Sequence, residues 1–202
     1  MGTIVVFENI SLDAVTQDPT GEEGFSRVNW LSLLDPADRD AWNRLILEDA
    51  RRAQALLLGR RSYEFFAARY PRRTGELADR MNGLPKYIAS GTLTDPSWNN
   101  STVLKGEAVE EISTLRRTLD GEVHVYASSG LVPTLIEHDL LDELRLVVFP
   151  VVMGAGAGIF DRTGGPIPVF PKLLRLTDSD RVGTALVAQT YAPIRDGADL
   201  AR

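Results

Sequence analysis

Short aliphatic runs alternate with amphipathic helical patterns along this chain, and that alternation constrains its fold more than any other feature. The runs cover residues 3–9, 55–58, 86–89, 102–104, 122–127, 143–149, 173–177 and 184–191, each bounded by turn-forming residues. Between them, residues 37–54 set Trp42, Leu45, Ile46, Asp49 and Ala53 along one mainly apolar stripe. Residues 107–119 line up Val109, Ile112, Leu115 and Leu119, with acids early and Arg116 and Arg117 late, as a helix dipole favours. Residues 62–70 and 131–139 carry two shorter helical patterns. Strands separated by helices pair in parallel, with helices on both faces of the sheet. The last two runs have only the polar segment 178–183 between them, which predicts an antiparallel hairpin and a mixed sheet in an α/β body. Ligands of such sheets collect where the strands end.

The 202 residues suffice for one domain, read as 1–194, with a polar, flexible tail over 195–202. Two Gly- and Pro-rich zones, 17–27 and 155–171, have no regular period and read as loops. The absence of cysteine excludes thiolate metal sites, iron–sulfur clusters and thiol nucleophiles, and two histidines, His124 and His138, make no multi-histidine metal site. A net charge of −6 speaks against nucleic acid or an anionic membrane surface as partner. The N-terminal run is short and lacks a basic leader, and no apolar stretch reaches the roughly 18 residues of a membrane span. These features predict a cytoplasmic protein with a small-molecule ligand.

The sharpest strand-to-helix junction is Leu58-Gly59-Arg60-Arg61-Ser62-Tyr63. Gly59 lets the chain turn, Ser62 can cap the helix, and two guanidinium forks at a helix N-terminus suit phosphate. The same segment also reads as a capped helix with two solvated arginines. Arg51, Arg52, Arg60, Arg61, Arg69, Arg72 and Arg73 crowd one stretch of an acidic chain, a local basic patch suited to a small anion. In Ala127-Ser128-Ser129-Gly130-Leu131, small residues allow the backbone to approach a pyrophosphate, or simply form a tight turn. His124 lies inside its strand and reads as a packed residue. Gly154, Gly156 and Gly158 miss a dinucleotide fingerprint, since Ile159 stands where the third glycine of that spacing falls, but they offer a glycine turn beside a strand end. Asp35, Asp38 and Asp40 read as a solvated first helix turn, and one of them, or Asp13, is a candidate carboxylate for a proton relay.

Five segments occur in a telling order: Ser11-Leu12-Asp13, Leu58 to Tyr63, Lys86-Tyr87-Ile88-Ala89-Ser90, Leu140-Leu141-Asp142-Glu143-Leu144-Arg145-Leu146, and Val148 to Gly156 ending at Phe160. Together they resemble the dihydrofolate-reductase-like superfamily, and within it the stand-alone relatives of the riboflavin-biosynthesis reductase domain, over about residues 3–192. The resemblance implies a three-layer α/β fold around a mixed, mostly parallel sheet of eight strands with an antiparallel C-terminal hairpin. It implies NADPH as hydride donor and a small heterocyclic substrate, pterin- or pyrimidine-like. Gly59, Arg60, Arg61 and Ser62 would then hold the adenosine 2′-phosphate end, with Ser90 near the ribose. Ser128, Ser129, Gly130 and Leu131 would meet the pyrophosphate. Leu12, Asp13 and the Gly154/Gly156 turn would line the nicotinamide and substrate end, with Asp13 the candidate catalytic group. Such relatives are often homodimers, and the apolar stretch 144–152 is either an interface or a central strand. The family pattern carries glycine where this chain has Ala14, which implies a stiffer loop over the nicotinamide, and again where it has Ala127 and Ser129 in the pyrophosphate turn. The first-helix carboxylate of dihydrofolate reductases has no match in residues 30–35, so dihydrofolate is not the expected substrate, and with the replaced glycines this leaves open the alternative of a nucleotide- or small-ligand-binding protein on the same fold that turns nothing over.

Overall fold

The computed structural model describes residues 1–25, 28–161 and 172–195. Eight strands form one sheet: β1 (Thr3–Ile10), β2 (Ala53–Gly59), β3 (Lys86–Ala89), β4 (Ser101–Leu104), β5 (Glu122–Tyr126), β6 (Glu143–Val148), β7 (Leu174–Val182) and β8 (Leu186–Pro193). Their order is β4-β3-β2-β5-β1-β6-β8-β7, with β1 to β6 parallel and β8 antiparallel to both neighbours. The helices are α1 (Pro36–Arg52), α2 (Arg60–Ala67), α3 (Glu76–Gly83), α4 (Ala108–Thr118) and α5 (Val132–Glu137). The chain steps from β1 outward to β4 and then returns to β5 and β6. Right-handed crossovers therefore put α1 to α3 on one face and α4 and α5 on the other. Two cores result. Phe7, Leu56, Leu58, Tyr63 and Met81 pack on the first face, and Ile4, Val6, Leu57, Ile112 and Leu135 on the second.

The polar segment expected to be the hairpin turn is mostly strand. Asp178 to Val182 belong to β7, and the turn falls at residues 183–185. β7 is an edge strand whose side chains mostly face solvent, so its polar residues mark exposure and not a turn. Asp38, expected to be solvated, is 2% exposed and holds this turn, accepting from Thr184 N at 2.6 Å and Thr184 Oγ1 at 3.1 Å. Gly183, at φ +65°, leaves the space that the Asp38 carboxylate fills. Of the stretch 144–152, residues up to Val148 belong to β6, a central strand between β1 and β8, while β4 and β7 form the edges and 149–152 continue outside the sheet.

Helix α3 has no counterpart in the sequence reading. It is short, lies between Gly75 and Leu84, and buries Ala78 and Met81. Behind it Lys86 is fully buried, its Nζ donating to the carbonyls of Leu84 at 2.7 Å and Asn82 at 2.9 Å, above the Trp98 ring at 4.2 Å. Arg195, the first residue of the expected tail, is anchored on Leu141 O at 2.6 Å and Asp142 Oδ1 at 2.7 Å. Residues 196–202 of that tail, 26–27 of the first loop zone and 162–171 of the second lie outside the described residues.

The α1 face also carries a buried charge cluster. Asp49, 1% exposed, accepts from Tyr126 OH at 2.5 Å and Arg145 Nη1 at 2.6 Å, and faces His124 Nδ1 at 2.9 Å. Glu122 Oε2 meets His124 Nε2 at 2.6 Å and Arg145 Nη1 at 3.1 Å. His124 is thus a packed residue, as read, but packed among charges. Burial pushes the Asp49 carboxyl up, and the bonds from His124 and Tyr126 with the Arg145 charge overcome it, holding it well below the usual carboxylate range.

Candidate functional site

The C-terminal ends of β2 and β5 open into two turns that are stapled together. After Gly59 the chain enters α2, and after Tyr126 it turns through Ala127, at φ +49°, into 128–131. Gly59 N donates to Ser128 Oγ at 3.1 Å, and Ser128 Oγ donates in turn to Tyr126 O at 3.0 Å. Ser62 Oγ donates to Ala127 O. Ser62 is therefore not the helix cap expected from the sequence. Gly59 occupies the cap position, and the Ser62 hydroxyl ties α2 to the turn after β5. Among the described residues the amides of Ser129 and Gly130 donate to nothing, while those of Leu131 and Val132 close the turn on Ser128 O and Ser129 O.

Arg60 and Arg61 flank this stapled pair differently. Arg60 reaches back to Glu64 at 2.7 Å and across to Thr92 Oγ1 at 2.6 Å, in the loop where Ser90 Oγ accepts from Leu93 N at 3.0 Å. Arg61 is 84% exposed at its side chain, with Glu23 Oε2 3.8 Å away. The seven-arginine patch does not assemble. Arg51 and Arg52 sit before β2, a strand length from Arg60, and pair with Glu76 at 2.5 Å and Asp49 at 3.2 Å. Arg69 pairs with Glu22 at 2.6 Å.

The segment after β1 docks on the turn that follows β6. Leu12 N donates to Val151 O at 2.8 Å, and Val15 bridges Gly158. Ala14 lies at φ +62°. Gly156, at φ +122°, leaves room for Val15 and Phe25, which a Cβ there would strike. Gly154 N donates to Asp13 Oδ2 at 2.7 Å, Met153 N to Asp13 Oδ1 at 3.1 Å, and Ser11 Oγ to Asp13 Oδ1 at 2.6 Å. The Ser11 hydroxyl and then the two amides hold the Asp13 carboxyl down at about 2. Asp13 is thus ionised near neutrality and fixes one turn against the other, while Leu12 is 63% exposed beside them.

Glu8 was not singled out from the sequence. It is 4% exposed on β1, and its Oε1 is buried with no hydrogen-bond partner among the described residues. Burial first, and the Glu23 charge second, raise its carboxyl to about 8. The available signal was a lone acid inside the apolar run Ile-Val-Val-Phe-Glu-Asn-Ile. No group of three or more His, Asp or Glu among the described residues is placed to hold a metal ion. No helix there is long and apolar enough to cross a membrane.

A mixed sheet of this order, with a stapled pair of turns above its middle strands, defines a reductase-type fold of the dihydrofolate-reductase-like kind. The sequence profile of the RibD C-terminal domain matches residues 2–188, and the chain belongs to that family. The uncharacterized protein YyaP of Bacillus subtilis (strain 168) is 25% identical over 158 residues, which cover 75% of this chain and 76% of YyaP. A structure from Shewanella sp. PV-4, described as a riboflavin biosynthesis protein, superposes with TM-score 0.70 at 22% identity, covering 96% of this chain and 99% of the other. Dihydrofolate reductase from Enterococcus faecalis, complexed with NADP(H), superposes with TM-score 0.56 at 16% identity over 96% and 97% of the two chains. At these identities the two superpositions establish the shared fold.

Proposed function

We propose that the protein is an NADPH-dependent reductase transferring a hydride to a small heterocyclic substrate, pterin- or pyrimidine-like. The observation that carries this reading is the stapled pair of turns. Gly59 to Ser62 and Ser128 to Leu131 stand side by side, with the Arg61 guanidinium exposed and the Ser129 and Gly130 amides unengaged. Guanidinium and free backbone amides are the donors that phosphate oxygens need. The RibD C-terminal family membership and the fold shared with dihydrofolate reductase support the same reading.

When bound, the reduced nicotinamide dinucleotide supplies the hydride, and the chain supplies position. Arg60 and Arg61 take the 2′-phosphate end, with Gly59 and Ser62 setting their turn and Ser90 near the ribose. Ser128, Ser129, Gly130 and Leu131 take the pyrophosphate. Leu12, Gly154 and Gly156 line the nicotinamide and substrate end. Asp13, anchored by three donors, serves there as a positioning residue. A cytoplasmic homodimer belongs to the same proposal, and sedimentation of the purified chain reads its mass.

A fluorescence titration with NADPH and NADH tests the reading. Micromolar NADPH binding with NADH at least tenfold weaker, a gap of about 1.4 kcal/mol, supports it. The double variant Arg60→Ala/Arg61→Ala should lose most of that preference. An unchanged ratio of the two affinities would make the phosphate assignment wrong, and failure of the native chain to bind either cofactor overturns the proposal.

A further inference from the structure

Residues 17–25 form a strap between the two ends of the site to which the reductase reading assigns the cofactor. At one end Ala157 N donates to Gln17 Oε1 at 2.9 Å, and the Phe25 ring fills the space that Gly156 leaves. At the other end Arg69 Nε, just beyond α2, donates to Glu22 Oε2 at 2.6 Å, and Glu23 Oε2 stands 3.8 Å from Arg61 Nη2. Asp18, 1% exposed, pins the backbone between them, its carboxylate accepting from Glu23 N at 2.9 Å and Phe25 N at 3.1 Å. With its backbone fixed in this way, Glu23 keeps its carboxylate within a side chain's reach of Arg61.

Arg60, Arg61 and Arg69 each face one carboxylate, but not equally. Arg60 donates to Glu64 at 2.7 Å and to Thr92 at 2.6 Å, and Arg69 donates to Glu22 while lying over the Phe65 ring at 3.6 Å. Both guanidinium groups are committed. The Arg61–Glu23 separation of 3.8 Å exceeds hydrogen-bond distance, so this pair is a charge contact only, and the Arg61 side chain is 84% exposed. Burial and the Asp18 charge raise the Glu23 carboxyl, while the Arg61 and Arg69 charges pull it down.

Resting on the reductase reading, we propose that Glu23 sets how strongly the site prefers NADPH over NADH, by competing with the 2′-phosphate for Arg61. A phosphate pairs with a guanidinium through two of its oxygens, and here it must do so beside a carboxylate that the strap holds in place. A cofactor with a 2′-hydroxyl brings no charge to that position, and a carboxylate can accept from the hydroxyl. The Glu23 charge therefore weakens NADPH and spares NADH. The preference that Arg61 confers is smaller than the arginine alone would give. Glu23 acts through Arg61 and is a specificity residue, remote from the reacting atoms.

The test titrates the full chain with NADPH and NADH, followed by fluorescence, for native protein, Glu23→Gln and Asp120→Asn. Each variant removes one negative charge from an exposed side chain. Asp120 precedes β5, at the end of the sheet opposite the stapled turns. Glu23→Gln should bind NADPH about three- to fivefold tighter at low salt and leave NADH within about twofold. Most of that gain should vanish at about 0.5 M salt, where exposed charges are screened. Asp120→Asn should leave the ratio of the two affinities unchanged. A Glu23→Gln ratio within about 1.5-fold of native overturns the inference. So does a lower ratio, which would make Glu23 a support for Arg61, or an equal gain in Asp120→Asn, which would make the effect one of net charge. In those cases a preference for NADPH that disappears in Arg60→Ala/Arg61→Ala leaves the reductase reading standing. Binding of neither cofactor by the native chain overturns both.

Discussion

Replacing Asp49 by Asn should cost much of the protein's stability and little of its ligand binding. Asp49 is 1% exposed and holds Tyr126 OH, Arg145 Nη1 and Arg52 Nη2 at 2.5, 2.6 and 3.2 Å, with His124 Nδ1 at 2.9 Å. Removing one partner of a buried charge pair costs about 3–5 kcal/mol, because the other charge stays in the interior. Asparagine retains one acceptor oxygen, and Arg145 keeps Glu122 at 3.1 Å and Glu143, so the lower part of that range applies. For a chain of this length each kcal/mol moves Tm by about 2–4 °C, so about 3 kcal/mol gives a fall of about 6–12 °C. The sign with pH follows. A carboxyl held below its unfolded value contributes stability above that value and loses it as pH falls toward the folded one. Native protein should therefore lose stability in acid more steeply than Asp49→Asn. Circular dichroism melts between pH 3 and 7, with NADPH titrations at pH 7, measure both effects. A Tm within about 2 °C of native at pH 7 would refute the claim that this cluster carries stability. Loss of NADPH affinity without loss of Tm would refute its separation from the site.

Three further outcomes follow from particular residues. Glu8 binds a proton in the folded chain up to about pH 8 but releases it from 4.5 upward when unfolded, so native stability should fall as pH rises across that window. Glu8→Gln should then unfold at higher denaturant than native at pH 8 and nearly together with it below pH 4.5, and identical curves at pH 8 would remove the basis for a neutral Glu8. Ala14 and Ala127 hold left-handed backbone at φ +62° and +49°, so Ala14→Gly and Ala127→Gly should each stabilise by about 0.5–1 kcal/mol, read as a higher denaturation midpoint. Gly183→Ala should destabilise by about 1–3 kcal/mol, because its Cβ meets the Asp38 carboxylate at a left-handed φ, and an unchanged melt would contradict that packing.

Parallel order was legible because apolar runs and helical stripes alternate, and a periodic stripe such as Trp42, Leu45 and Ile46 survives any detail of packing. The hairpin turn was misplaced because Asp178, Ser179 and Asp180 are polar for an edge strand's reason. α3 went unseen because eight residues with two buried side chains, Ala78 and Met81, carry too few periods to detect. In the site, glycines and small residues announced the turns, and the structure brings Asp13 onto the amides of Met153 and Gly154, in the turn that the resemblance set at the same end of the site. What failed was inference from nearness along the chain. Seven arginines within 23 positions seemed one patch, yet a β-strand carries Arg52 and Arg60 to opposite ends of the sheet. Glu8 was passed over because an isolated acid in a strand signals nothing until burial shows that it has no partner.

The two bonds joining Gly59 to Ser128 and Ser62 to Ala127 have a mechanical consequence. They turn two separate strand ends into a gauge of fixed opening, since neither α2 nor the 127–131 turn can move without carrying the other. On the reductase reading such a gauge would select ligands by length: a single phosphate would engage one jaw, whereas a molecule with anionic groups spaced to the opening would engage both at once. Discrimination would then be set when the protein folds, with no closing motion needed when the ligand arrives.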